Sequence, residues 1–402
     1  MVWTTPKLLI TTIAATVLTA QAAIQELDAS QFKLFGKPGH YEALINKLDG
    51  ILPNASGPSQ FIRSYTYVLC HFDISTICTC CGIKKTGYDD INTDKWYPQG
   101  VTSSSDAYDK GTYGDNNIML VSWYDHTVPA SDPANKGVRI SFVDMNKEQH
   151  NYRNVLLVVP EETSSGVPSF HPVRIHAGGI MWYDDKLYVV DTNAGVRIFD
   201  LGHICKVTVG DQIGYVSSDR YEAANYKYVL FITLYQKSQY VIPQWGYYLA
   251  NSDVAKDFRY SFISLDRTTT PDSFVMGQYN SSGVNNRIVR FDLDYNTRLP
   301  IHSSDTYATA TEFYYVGLKS MQGVTSVTKD GVQKYYFSCS RGENTNGDLY
   351  TWDRSTGALQ QYTGELSKGP EDLTYRQQGD ELWTIGEHPG ERPVYALSAN
   401  KY

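Results

Sequence analysis

The sequence predicts an all-β chain arranged as a β-propeller, most simply five-bladed with six blades as the other count, and three observations predict it. An apolar run ending in an acidic residue recurs as "GVRISFVD" (137–144), "GVRIFDL" (195–201), "NRIVRFDLD" (286–294) and "GDLYTWD" (347–353), and in altered form as "RPVYALS" (392–398). Two shorter runs precede each copy, such as "GGIMWY" and "KLYVVDT" before the second, or "QGVTSV" and "QKYYFSCS" before the fourth. The runs are short, rich in Val, Ile, Tyr, Phe and Trp, and bounded by Gly, Asp and Asn, which is strand chemistry with tight turns. Helical spacing of apolar residues is largely missing after residue 60.

Burial explains why such copies would form a ring. A four-stranded sheet has two apolar faces, and each is covered only when a neighbouring sheet stacks on it. The copies therefore need one another, and the last needs the first.

Taken in order, residues 1–22 read as a secretion signal. Lys7 is the positive flank, "LLITTIAATVL" (8–18) the apolar run, and "AQA" (20–22) the small-residue cleavage site. That run is too short to span a bilayer, so the expected location is extracellular. A net charge of −8 without a basic cluster argues against nucleic acid and anionic membranes as partners. A monomer is expected.

Residues 23–95 are expected to hold one short helix and one strand. "HYEALINKLDGIL" (40–52) spaces Leu44, Leu48 and Ile51 as a helix packed outside the ring. The fifth copy ends too close to Tyr402 to hold its own outer strand, so "FIRSYTYVLCHF" (61–72) is expected to lend one. Six cysteines, Cys70, Cys78, Cys80, Cys81, Cys205 and Cys339, suit disulfides in an exported chain. The "CTCC" cluster lacks the second CxxC or the His pair of a zinc site, and no metal or cofactor is expected. The expected role of the cysteines is to tie the N-terminal segment to the body through Cys205 or Cys339. Asn54 and Asn280 begin glycosylation sequons.

Residues 96–402 form the propeller proper. The interval 206–258, with Tyr235, Tyr240, Trp245, Tyr247 and Tyr248, reads as an insertion, either an irregular blade core or an aromatic wall over one mouth. "YPQGVTSS", "VSWYDH", "KGVRISFVD" and "HAGGIMWYDDKLYVVDT" together resemble a family of exported propeller proteins of soil bacteria and fungi. The resemblance covers roughly Trp96 to the C-terminus. It implies the fold and brings no activity with it.

In a ring of this kind the first strand of each copy lines the axis, so polar residues at the starts of first strands converge. Those starts carry Gln99, His176, Gln322 and the Glu371–Asp372 pair. His176 and Glu371 are the candidate catalytic residues, a neutral imidazole being able to take a proton. Gln99, His126, Gln322, Asp372 and Trp182 are the candidate ligand contacts. His388 matches His126 in the last copy. Strand alternation sends Glu371 and Asp372 to opposite faces. With Gln, His and Gly at the other starts, the usual two-carboxylate glycosidase is disfavoured. A lyase acting on a uronate would need a base such as His176 and a cation such as Arg174 or Arg341. The expected ligand is an extracellular carbohydrate-like or other small molecule, bound at one channel mouth with lyase or hydrolase chemistry or without it. The alternative is a lectin-like or protein-interaction scaffold.

Overall fold

A computed structural model describes residues 24–55, 58, 90–146, 152–208, 210–224, 238–304 and 306–402. The chain is all-β in architecture, built from antiparallel meanders of three or four strands. The apolar runs become these strands where the alternation expects them. First strands are Trp96–Ser103, Ile180–Tyr183, Tyr260–Asp266, Met321–Lys329 and Pro370–Arg376. Each packs against the next, and Pro370–Arg376 packs back on Trp96–Ser103.

Among the described residues, apolar layers fill the gaps between successive sheets. Ile140 and Phe142 of the first sheet meet Ile180 and Leu187 of the second. Met181 and Tyr188 meet Ile263 and Phe274. Phe262 and Val275 meet Val324 and Phe337, and Val327 and Leu349 meet Leu373 and Leu382. Val121 and Trp123 then meet Trp383 and Ile385, so the fifth sheet closes on the first. Every sheet thus buries both faces, the condition the repeats require.

The two "QGVTS" copies show how tightly first strands approach. A Cβ added at Gly100 would lie 2.7 Å from the Ile180 amide nitrogen, and one at Gly323 would lie 2.7 Å from that of Leu373. No other residue fits against a neighbouring backbone at that distance. A serine on each adjoining second strand bridges the same gap: Ser122 Oγ donates to the Ala177 carbonyl at 3.0 Å, and Ser338 Oγ to the Glu371 carbonyl at 2.7 Å.

The interval 206–258 behaves differently from either expectation. Its long strand Ser238–Ala250 is the outer strand of the second sheet, antiparallel to Gly195–Asp200. Its first half runs parallel to Tyr152–Glu162 and joins the first and second sheets into one of fifteen strands. The aromatic residues divide between the core and the outer edge. Tyr248 is buried in the layer between the second and third sheets, Tyr247 lies 5.1 Å from His40, and Trp245 lies under Lys186. Tyr235 lies outside the described residues.

The helix forms at Glu42–Asp49 and packs outside, against the outer strands of the first sheet. Its buried face is Ile45 and Leu48, followed by Leu52, whereas Ile51 is 47% exposed. The expected stripe is offset by one residue, because Leu44, Leu48 and Ile51 fit the spacing equally well. Near the N-terminus, Gln25–Glu26 adds to the third sheet beside Glu312–Tyr315, and Lys33–Lys37 pairs with Ser238–Ala250. The expected closing strand, 61–72, lies outside the described residues, as do Cys70, Cys78, Cys80 and Cys81. Cys205 and Cys339 carry free buried thiols in separate apolar layers, so neither makes the expected tie. Among the described residues, no helix is long and apolar enough to cross a membrane.

Candidate functional site

Irregular backbone marks the starts of four first strands. Register shifts fall between Pro98 and Val101, Tyr260 and Phe262, Met321 and Gly323, and Pro370 and Leu373. Bulges of this kind re-aim side chains. Here Gln322 reaches Glu371, and Gln99 reaches Glu387, at the starts of the first strands.

A carboxyl pair is the centre of the site. Glu371 is buried, and its side chain is a hydrogen-bond partner of Glu387. Gln322 Nε2 donates to Glu371 Oε1 at 2.7 Å, and Gln99 Nε2 donates to Glu387 Oε2 at 3.1 Å. Burial, then the adjacent Glu387, pushes Glu371 well above the usual carboxylate range. Both causes favour the protonated form of Glu371, while Glu387 keeps one edge in contact with solvent.

Glu387 is the functional residue that sequence reasoning missed. It follows a second strand rather than starting a first strand. A usable signal existed, since "YDH" (124–126) and "GEH" (386–388) place an acid before a histidine at matching points of the first and last copies. His388 Nε2 lies 3.8 Å from Glu387 Oε1.

Rings lie beside the pair. His176 is exposed, and its pKa is lowered to about 4. The low-dielectric surroundings are the main cause, followed by the charges of Arg259 and His126. The imidazole is thus neutral at pH 7, with a free lone pair on one ring nitrogen. Its ring centroid is 4.3 Å from that of Tyr124. Tyr97 is sandwiched between His126 at 4.0 Å and the Arg392 guanidinium at 4.8 Å. Burial, and then the neighbouring Glu387, raises the Tyr124 hydroxyl, which stays protonated.

Asp372 does different work. Its Oδ2 accepts from the Val101 amide at 3.3 Å and the Ile180 amide at 3.2 Å, so one carboxyl pins the fifth, second and first sheets at the axis. Glu371 and Asp372 do point apart, as alternation requires. Trp182 is fully buried in the layer between the first and second sheets, with Nε1 donating to the Asp184 carbonyl at 2.6 Å. It belongs to the core, away from the carboxyl pair. Asn54 is exposed, with its amide donating to the Gly202 carbonyl, and Asn280 is half-buried on the turn after Ser273–Gln278.

The opposite end of the axis is crossed by the short helix Ser104–Ala107. Its Asp106 accepts from Thr374 at 3.0 Å, and Arg267 of the third sheet donates to the Asp106 and Ala107 carbonyls. Burial raises Asp106 to about 6.

The two cations a uronate lyase would need are engaged elsewhere. Arg174 donates to the Asn135 and Pro133 carbonyls, and Arg341 pairs with Asp348 at 3.5 Å. Among the described residues, no cluster of three or more His, Cys, Asp or Glu is arranged to hold a metal ion.

No family model and no curated protein matches the chain. Among solved structures it is similar to the Cps50 (Swd1) β-propeller domain of Myceliophteria thermophila, at 10% identity and a TM-score of 0.30, covering 76% of this chain and 98% of that one. It is similar to CoXyl43, a GH43 β-xylosidase/α-arabinofuranosidase from a compost microbial metagenome, at 9% identity and 0.35, covering 78% and 93%. It is also similar to the RS223 β-xylosidase, at 10% identity and 0.33, covering 75% and 91%.

Proposed function

We propose that the chain is a secreted five-bladed β-propeller that binds an extracellular carbohydrate-like ligand at the mouth lined by Glu387, Gln322 and His176. The observation that carries this reading is the carboxyl pair: Glu371 and Glu387, each held by a glutamine from a different sheet, near the Tyr124 ring on which His176 packs at 4.3 Å. Such a set presents fixed donors and acceptors to a hydroxyl-rich molecule. The far end of the axis is crossed by Ser104–Ala107.

Binding is favoured over hydrolysis of the two-acid type. Glycosidase carboxyls stand about 5–5.5 Å apart when retaining and about 6.5–9.5 Å when inverting. A hydrogen-bonded pair leaves no room for a glycosidic bond between its members. The second reading, acid–base turnover, draws on shifts of opposite sense: burial and Glu387 push Glu371 up, and desolvation pushes His176 down to about 4.

A glycan-array screen of the secreted protein, followed by activity assays on each ligand bound, tests both readings. Binding by wild type that weakens in Glu387→Gln is the expected result. Turnover lost in His176→Ala with binding kept would establish catalysis. If no glycan binds at all, the carbohydrate reading fails. Amino-terminal sequencing of the exported protein tests cleavage after Ala22.

A further inference from the structure

Most arginines of the chain spend the guanidinium on an oxygen of the protein, as Arg197 does on Asp191 and Arg287 on Asp257. Arg259 does not. It is exposed, its guanidinium lies 5.4 Å from the Tyr279 ring, and no carboxylate among the described residues pairs with it. It stands at a strand start, just before Tyr260–Asp266 of the third sheet.

Backbone contacts set this cation beside His176. A Cβ added at Gly178 would lie 2.2 Å from the Ser261 carbonyl oxygen and 3.5 Å from His176 Nδ1, so imidazole and serine flank one glycine. Ser261 Oγ donates to the Arg259 carbonyl at 3.0 Å and accepts from the Tyr279 amide at 3.1 Å. The Arg259 charge reaches the imidazole, where it is the second cause, after desolvation, of the lowered value.

Negative charge acts on the other flank. Glu387 raises the Tyr124 hydroxyl, whereas the charges acting on His176 are those of Arg259 and His126. The Tyr124 and His176 rings stand 4.3 Å apart between the two flanks. Arg392 tempers the carboxylate flank, since its guanidinium is stacked on Tyr97 and its Nη2 has no partner.

We infer that the mouth takes a uronate-bearing saccharide, with the ligand carboxylate on Arg259 and the sugar hydroxyls toward Glu387. The inference rests on the carbohydrate reading above and narrows its ligand class. A planar guanidinium fork matches a planar carboxylate through two parallel hydrogen bonds. Sugar hydroxyls donate to a carboxylate, so the two flanks recognise different parts of one ligand. A neutral saccharide makes only the second set of bonds and leaves Arg259 to water. Arg259 is also the cation that Arg174 and Arg341, engaged elsewhere, do not supply.

The test is calorimetric titration of the full chain at pH 7 with three tetrasaccharides: α-1,4-linked galacturonate, its fully methyl-esterified form, and the corresponding galactose oligomer. The acid is expected to bind about fivefold more tightly than the other two, the scale of one bidentate ion pair in contact with water. Raising the salt to about 0.5 M is expected to shrink that preference. Arg259→Gln is expected to abolish it and Arg259→Lys, which keeps the charge but loses the fork, to retain part of it. The inference is overturned if the ester or the galactose oligomer binds wild type as tightly as the acid. It is overturned equally if folded Arg259→Gln, judged by its melting curve, keeps the preference. If none of the three binds, it is overturned as well, and the carbohydrate reading falls with it only when the glycan array is also blank.

Discussion

Gln99 donates to the Glu387 carboxylate at 3.1 Å, joining residues 288 apart in sequence across the seam between the first and fifth sheets. The same amide donates to the Pro98 carbonyl, so one buried side chain serves both the seam and the site. Gln99→Leu removes both bonds and leaves Glu387 without that donor. It is expected to lower unfolding free energy by about 1–3 kcal/mol, read as a lower denaturant midpoint with unchanged slope.

The buried acids set the pH dependence of stability. Asp106 titrates at about 6 in the fold, above its ordinary 3.8, and Glu371 and Asp372 are also pushed up, burial being the first cause in each case. The folded chain then binds more protons than the unfolded chain above about pH 4, so stability falls as pH rises through 6. His176 acts in the opposite sense. Its folded value of about 4 lies below its ordinary 6.5, so it removes stability as pH drops below 6.5. Urea unfolding of Asp106→Asn should vary less between pH 5 and pH 7 than that of wild type. A steeper variant profile would refute the assignment.

Gly100→Ala and Gly323→Ala each place a Cβ 2.7 Å from a backbone nitrogen of the next sheet. Backbone has no rotamer by which to give way. Each substitution should cost about 1–3 kcal/mol or more, seen as a lower melting temperature.

Ser122→Ala and Ser338→Ala form a matched pair, because each serine bridges to the next sheet's first strand. Ser122 also accepts from the Gly100 amide at 2.8 Å. Each loss should cost roughly 1–3 kcal/mol, with Ser122→Ala the larger, and the double variant should be additive because no partner is shared. Strong coupling between the two would contradict that.

Arg139 is fully buried between Trp96 at 4.7 Å and Trp123 at 4.8 Å, and pairs with Asp90 at 2.7 Å. Arg139→Met keeps the volume and strands the carboxylate. A loss of about 3–5 kcal/mol is expected, and Asp90→Asn should restore part of it.

Much of this architecture is legible in the amino-acid sequence. The five first strands, from Trp96–Ser103 to Pro370–Arg376, lie where the alternating runs place them, because a strand buried on both faces needs an unbroken apolar run with turn residues at its ends. The prominence of Gln99, Gln322 and Glu371 is legible too, since copies of one motif occupy equivalent points of a ring. Trp182 is not, because a tryptophan near a strand start reads the same whether it lines a mouth or fills a layer. Only packing against the first sheet settles it. The outer strand Ser238–Ala250 is hidden because an edge strand's partner is chosen by the sheet it joins, and "YVIPQWGYY" would suit several.

Local patterning alone determined that the chain is made of short antiparallel strands and which residues begin them, since side-chain period and turn chemistry act over a few neighbouring residues. Tertiary structure decided which charges meet. Glu387 becomes a neighbour of Glu371 and a partner of Gln99 through the bulges at the strand starts and the packing of the last sheet on the first, and the upward push on Glu371 follows from its burial beside a second carboxyl.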